Sequence, residues 1–141
     1  MTLAHSCTAL VAVDAVTAFE FLADPQALGG WALGCWATTT GEQGRFRGHS
    51  LFSGAETWGR IDADPVRLVI DYHVGAAPDE LSPRISARVV PGPVTGRPGH
   101  VCLVTLTAWR GVGMDDARWQ QLVAAHEAEI LLIKGQLERK P

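Results

Sequence analysis

Residues 115–137, DDARWQQLVAAHEAEILLIKGQL, form the longest periodic segment of the chain, and the predicted fold is built around it. Apolar side chains recur there every three or four residues, which is the spacing of one face of an α-helix. This stripe consists of Trp119, Leu122, Val123, His126, Ile130, Ile133 and Leu137. At ~1.5 Å per residue the helix is roughly 35 Å long, enough to cross a small domain. Asp115 or Asp116 can cap its first turn, and Lys134 places positive charge near its other end.

The length and composition indicate an ordinary globular domain. The chain has 141 residues, 47% of them hydrophobic, so residues 1–141 are expected to form a single domain with a real core. The net charge is -3 and there is no run of Lys or Arg, which disfavours nucleic-acid binding through phosphates. No apolar run approaches the ~20 residues of a membrane-spanning helix, so no membrane span is predicted.

The cysteines and the first sixteen residues indicate the cellular compartment of the protein. Residues 1–16, MTLAHSCTALVAVDAV, do not contain a basic leader followed by an apolar core and a cleavage site. Cys7, Cys35 and Cys102 are odd in number and far apart, which is typical of free thiols in a reducing compartment. We therefore expect a cytoplasmic protein.

Upstream of the long helix, the chain reads as strands with two short helices near the start. A first strand is predicted over residues 3–13, followed by helices over 15–23 and 26–28. Six further strands, separated by turn residues, are predicted at 35–40, 45–52, 55–63, 67–74, 85–90 and 101–109. This order predicts an α+β fold, in which the C-terminal helix covers one face of an antiparallel sheet.

Several landmarks occur together in a recognisable order. They are the turn at residues 13–15 leading into AVTAFEFLADP (15–25), the aromatic Trp31, ADPVRLVIDYHV (63–74) and the terminal WQQLVAAHEAEILLIKGQLE (119–138). In these features the chain resembles the START-like or SRPBCC superfamily, which has the helix-grip or birch-pollen-allergen-like fold. It looks similar to the small bacterial polyketide cyclase/dehydrase-type members.

The resemblance implies a curved seven-stranded antiparallel sheet wrapped around the long C-terminal helix, with a deep cavity between them. It also implies that the two short helices lie between strands 1 and 2. The superfamily supplies no portable catalytic motif, so catalytic residues cannot be assigned from it.

The five tryptophans are the clearest compositional excess: Trp31, Trp36, Trp58, Trp109 and Trp119. Aromatic rings can form broad walls of a ligand site, and the indole N–H can orient a polar atom. The alternative is that they are core residues with one or two partly exposed rings. Helix phase favours Trp119 as a cavity residue. Trp31 and Trp109 lie near a helix exit and a helix entry, where the mouth of such a cavity is expected.

His126 lies at the centre of the apolar stripe. A buried imidazole must hydrogen-bond a partner or contact water or a ligand, because an unsatisfied one is costly. It could orient a carbonyl or act as an acid or base, or it could be a structural histidine with Glu129, one turn on, as its partner. As metal ligands these two residues lack a third and a fourth. We predict no metal site and no cofactor.

Either face of the predicted strand 67–74 could point into the cavity. Asp71 and His73 share one face by the period of two, and facing inward they would place a carboxylate and an imidazole in the cavity. The opposite face is the more continuous apolar row, so we predict that Tyr72 points inward and offers its hydroxyl to a ligand. A slip of one residue would exchange the two faces.

The predicted function is binding of a small, largely apolar molecule in the internal cavity. The predicted ligand contacts are Trp31, Trp58, Tyr72, Trp109, Trp119, His126 and Ile130. An alternative is a polyketide cyclase- or dehydratase-like enzyme that uses the same cavity, with His126 or Asp71 moving a proton. A third is a protein-interaction module resembling co-chaperone activators, for which Leu131 and Leu132 would form an exposed apolar patch. These two leucines could equally pack on the small helices or in a homodimer.

Overall fold

The computed structural model describes residues 2–139, which form one seven-stranded antiparallel sheet and three α-helices. The strands are β1 (Ala4–Val11), β2 (Trp36–Thr40), β3 (Arg45–His49), β4 (Glu56–Asp64), β5 (Val69–Gly75), β6 (Ser82–Pro91) and β7 (Cys102–Trp109). The helices are α1 (Ala15–Leu22), α2 (Pro25–Leu28) and α3 (Asp116–Leu137), and a single 3-10 turn follows β6 at Gly92–Thr95. The predicted α+β class and element order are confirmed.

The strand order in the sheet is β1-β7-β6-β5-β4-β3-β2, and every neighbouring pair is antiparallel. The chain crosses from one edge of the sheet to the other between β1 and β2, through α1 and α2. Helix α3 packs against β1 and β7, whereas α2 packs against β2 and β3. The space between α3 and the middle strands is left for a cavity.

An aspartate caps the start of each helix. Asp14 caps α1, Asp24 caps α2 and Asp115 caps α3, each with a side-chain oxygen that accepts a hydrogen bond from a backbone N–H two or three residues later. Pro25 follows the second cap, where its missing N–H costs nothing. These local signals explain why the helix starts can be read from the sequence.

Strict alternation on β7 builds the centre of the core. Cys102, Val104, Leu106 and Ala108 are completely buried, while the residues between them are partly exposed. Ile130 and Ile133 of α3 belong to the same buried cluster. Burial of each large aliphatic side chain contributes about 1.5–3 kcal/mol, so this contact fixes α3 on the sheet.

Strand β6 begins at Ser82, three residues earlier than the sequence predicts. A proline at position 83 favours a loop, yet Pro83 pairs with His73 of β5. The register then shifts, because Tyr72 pairs with Ile85 rather than with Arg84. Arg84 is therefore the extra residue of a β-bulge, a place where a sheet tolerates proline and where a side chain can be re-aimed.

Within residues 2–139, no helix combines the length and the apolar character that crossing a bilayer would require.

Candidate functional site

A cavity of about 650 Å³ lies between α3 and the inner face of strands β3 to β6. Its size falls within the range typical of small-molecule sites. The large apolar side chains of its wall are Leu28, Trp31, Phe46, Phe52, Tyr72, Val74, Ile85, Met114 and Leu122. Phe52, Arg118 and Gln121 line the cavity and are also exposed to solvent, so the cavity opens beside them.

Helix α3 uses two adjacent faces. The stripe predicted from the sequence packs into the protein, with Trp119, Ile130 and Ile133 buried. A second row lines the cavity and consists of Arg118, Gln121, Ala125 and Glu129, together with Leu122 from the edge of the predicted stripe. At ~100° per residue the centre of this row lies roughly 90° around the helix from the stripe. His126 is at the border, both buried and part of the cavity wall.

Tyr72 faces the cavity, as the continuous apolar row predicts, and is 2% exposed. Its hydroxyl donates a hydrogen bond to the Leu22 backbone carbonyl at 2.7 Å. The end of α1 therefore uses the hydroxyl proton, and an orienting role of this hydroxyl toward a ligand stays a prediction. Burial raises the pKa of Tyr72, so the hydroxyl stays protonated. On the outer face, His73 Nε2 lies 3.9 Å from an Asp62 carboxylate oxygen.

Trp31 is buried on the cavity wall, at 3% exposure. Its ring meets Tyr72 edge to face, with centroids 5.7 Å apart and planes at 73°. Its Nε1 group is buried and has no hydrogen-bond partner among residues 2–139.

Arg84 is a cavity residue for which no sequence pattern provides a signal. The bulge in β6 places it on the cavity wall beside Ile85, although consecutive strand residues normally face opposite sides. Its Nε atom is buried and finds no hydrogen-bond acceptor in the described part of the chain. Loop composition around Pro83 conceals this bulge, so only the strand register reveals it.

Glu129 is a second cavity residue, 7% exposed. Its Oε2 atom accepts a hydrogen bond from the Leu33 backbone N–H at 2.8 Å. Burial raises the pKa of Glu129 to about 7, and the hydrogen bond from Leu33 opposes that rise in part. The carboxyl can thus both give and take a proton near neutral pH. The suggested pairing of Glu129 with His126 is replaced by this backbone contact.

His126 is 2% exposed, and neither ring nitrogen has a hydrogen-bond partner within residues 2–139. Burial, and secondarily the nearby His5, lowers the pKa of His126 to about 4, so its imidazole is neutral at pH 7. The ring centroids of His5 and His126 are 5.9 Å apart, and their planes are inclined at 58°. One nitrogen of each ring and the Cys7 Sγ atom all lie within 4.8 Å of one another.

Four predicted contacts lie outside the wall of this cavity. Trp58 is on the outer face of β4, where the Arg47 guanidinium carbon lies 5.2 Å from its ring centroid, beside a shallow depression of about 270 Å³. Trp109 is 44% exposed at the end of β7. Trp119 Nε1 donates to Thr2 Oγ1 at 2.8 Å, and Ile130 is in the core. The structure brings Trp31, Tyr72 and His126 together on the wall.

No protein-family model matches the sequence, and no curated protein sequence matches it either. Solved structures do match. The di-domain ARO/CYC BexL from the BE-7585A biosynthetic pathway has 19% identity and a TM-score of 0.71, covering 97% of this chain and 47% of its own. This chain thus spans about half the length of that protein.

Two further matches are similar in length to this chain. The Zhui aromatase/cyclase from Streptomyces sp. R1128 has 22% identity and a TM-score of 0.65, over 96% of this chain and 93% of its own. The protein XoxI from Bacillus cereus has 10% identity and a TM-score of 0.72, over 96% of each chain. These similarities cover almost every described element, so the chain has the helix-grip fold.

Proposed function

We propose that this protein binds a small, largely apolar molecule in the cavity beneath α3, and that the molecule carries oxygen atoms. One observation supports this most directly. Two residues of the mostly apolar wall, Trp31 and Arg84, each carry a buried side-chain N–H (Nε1 and Nε) that has no acceptor among residues 2–139.

The donors define the polar part of the ligand. A buried donor left unpaired costs about 1–3 kcal/mol, and an oxygen of a ligand relieves that cost. The Arg84 guanidinium favours carboxylate, phenolate or carbonyl oxygens. The aromatic wall favours a flat, ring-containing body, because faces and edges of rings pack well together.

The proposal is tested with 2-naphthoate and naphthalene, which differ by one carboxylate. We expect the wild-type protein to bind 2-naphthoate more tightly than naphthalene, measured by calorimetry or by quenching of tryptophan fluorescence. R84M should weaken 2-naphthoate binding about 10-fold or more, the usual size of a charged hydrogen bond, and leave naphthalene binding within about twofold.

The matched control is R88M, because Arg88 lies on the same strand but is exposed and outside the cavity wall. R88M should bind both compounds like the wild type. Failure of both compounds to bind, or equal losses in R84M and R88M, would refute the proposal. Native mass spectrometry of freshly purified protein adds an independent reading, since a co-purified ligand appears as extra mass that denaturation removes.

A second candidate is a cyclase- or dehydratase-like enzyme acting in the same cavity. The observation that favours it is Glu129, a buried carboxyl on the cavity wall whose pKa of about 7 suits proton transfer at neutral pH. Two matching structures, BexL and Zhui, are described as aromatase/cyclases, which suggests the reaction class. Asp71 is on the outer face of β5, so Glu129 takes the role that the sequence suggested for Asp71.

In such a dehydration, a base removes the proton on the carbon next to a carbonyl, the hydroxyl one carbon further leaves as water, and a carbon–carbon double bond forms. Glu129 can accept the first proton and return it to the departing hydroxyl. The test follows the enone absorbance of a bicyclic β-hydroxyketone. E129Q should lower kcat by about 100-fold or more while substrate affinity stays within about twofold. Equal loss of binding and turnover would count against catalysis.

The interaction-module alternative finds less support. Leu131 is 65% exposed, but Leu132 is partly buried and packs against the core, so the two leucines do not form a joint surface patch.

A further inference from the structure

We propose that His5, Cys7 and His126 form a binding site for one divalent zinc ion at the junction of β1 and α3. The sequence alone predicts no metal, because His126 lies more than a hundred positions from His5 and Cys7. The proposal stands on the geometry of the cluster and is independent of the ligand proposed for the cavity.

The fold places the three donors on facing surfaces. His5 and Cys7 are two residues apart on β1, so their side chains leave the same face of the strand. That face packs against α3, where Cys7 Sγ lies 3.5 Å from the His126 backbone carbonyl oxygen. The three donor atoms lie within 4.8 Å of one another. Tetrahedral zinc, with bonds of about 2.0–2.3 Å, holds its donors roughly 3.5 Å apart, so small side-chain rotations close the site.

Unpaired nitrogens are the second, independent observation. Both ring nitrogens of His126 and the Nδ1 of His5 are buried and make no hydrogen bond with any residue from 2 to 139. A buried imidazole without a partner is costly, whereas a metal bond satisfies one nitrogen directly. In its neutral form imidazole offers the lone pair that zinc requires.

The surroundings also favour a cation. A Glu127 carboxylate oxygen lies 3.5 Å from His5 Nε2, at the exposed edge of the cluster. Glu129 and Glu127 are also close enough to Cys7 to interact with its thiol electrostatically. The same negative charge attracts a metal ion, and zinc binding then displaces the proton of the Cys7 thiol.

Two imidazoles and one thiolate are a donor set that suits zinc. Three protein ligands leave the fourth position of a tetrahedral ion to solvent, as in zinc sites that are open to a further ligand. Because His126 also lines the cavity, this site would lie directly behind the cavity wall.

The test uses untagged full-length protein freed of metal with a chelator. We expect it to take up one equivalent of Zn²⁺ in competition with a chromophoric chelator. Loaded with Co²⁺, it should show the intense near-ultraviolet band of a thiolate–cobalt bond. C7A and H5Q should weaken zinc binding by more than about 100-fold, because even outer-shell partners are worth 10–100-fold.

The controls match each variant. Cys102 is a buried thiol on β7, outside the cluster, so C102A should keep wild-type zinc affinity. His73 resembles His5 closely: it is a strand histidine with an 18% exposed side chain, against 19%, and it also has a carboxylate neighbour. H73Q should bind zinc like the wild type. Binding of less than one equivalent, a cobalt complex without the thiolate band, or zinc affinity unchanged in both C7A and H5Q would overturn the proposal. The wild-type cobalt spectrum decides the matter even if a variant fails to fold.

Discussion

Tyr72 and Leu22 join the sheet to the first helix through a buried hydrogen bond, in which the tyrosine hydroxyl donates to the Leu22 carbonyl at 2.7 Å. The carbonyl is near the end of α1, where the last turn of a helix leaves such groups unpaired. Tyr72 is thus held in place from its far end, and its ring forms a rigid wall against Trp31. A contact within the protein itself, between Tyr72 and Leu22, therefore shapes the cavity wall without any ligand.

The first prediction concerns this contact. Y72F removes the donor and leaves the Leu22 carbonyl unpaired in the interior, so the free energy of unfolding should fall by about 1–3 kcal/mol. Affinity for 2-naphthoate should stay within about twofold, because the aromatic ring remains. Denaturant unfolding and ligand titration measure the two effects. A variant with full stability and weakened binding would show that the hydroxyl serves the ligand instead.

The second prediction concerns the tryptophans. Of the five tryptophans, which all lie within residues 2–139, only Trp31 lines the cavity, so a bound aromatic ligand should change the fluorescence of that residue most. W31F should lose most of the ligand-induced change in emission, whereas W109F should keep it, since Trp109 is 44% exposed and outside the wall. Emission spectra across a naphthoate titration provide the measurement. Loss of the signal in W109F would place the ligand elsewhere.

The third prediction concerns Gly59 on the inner face of β4. A methyl group at this position would overlap the Phe46 ring, which forms part of the cavity wall. G59A should therefore lower the free energy of unfolding by about 1–3 kcal/mol, the usual cost of overpacking. G99A is the control, because nothing lies within 4 Å of the added atom. If thermal unfolding shows equal effects of the two substitutions, the close packing of Phe46 is not what requires glycine.

The fourth prediction concerns the pH dependence of stability. The pKa of Glu129 is about 7 in the folded protein, against 4.5 without burial. Between these values the folded state holds a proton that the unfolded state has lost, so raising the pH removes stability. The contribution is fully present below pH 4.5 and is lost as the pH rises through 7, a difference of about 3 kcal/mol.

E129Q isolates that contribution, because the amide keeps an oxygen for the Leu33 N–H but does not titrate. The stability difference between E129Q and the wild type should grow from pH 4.5 to pH 7, in favour of the variant. E127Q is the matched control, since Glu127 is on the same helix with its side chain 65% exposed. Denaturant unfolding of chelator-treated protein checks this. A difference independent of pH would mean that Glu129 is charged throughout.

Most of the fold could be predicted from local sequence signals. The aspartate caps, Pro25 and the apolar stripe of α3 each act within a few residues, so the helices could be placed from the sequence to within one or two positions. Alternation in residues 68–74 also assigned Tyr72 to the inner face. These features depend on periodicity and on hydrogen bonds between near neighbours.

The cavity wall depended on contacts between distant segments. The sequence located the apolar stripe of α3, but the packing of that stripe on β1 and β7 turned the row containing Glu129 toward the cavity. Trp119 is consequently buried outside the cavity, although helix phase predicted that it lines the cavity wall. Alternation along β4 put Trp58 on the outer face, since Gly59 and Ile61 occupy the inner one.

The element order and the inward row of β5 could be predicted from local sequence, because both follow from helix capping and from the two-residue and 3.6-residue periods. The placement of Arg84 on the cavity wall and the meeting of His5, Cys7 and His126 depend instead on how the elements pack in three dimensions. A bulge reverses which residues of a strand face inward, and no clear sequence signal marks it. The packing of β1 on α3 brings together residues more than a hundred positions apart. Such juxtapositions depend on how whole elements pack, and no local pattern encodes them.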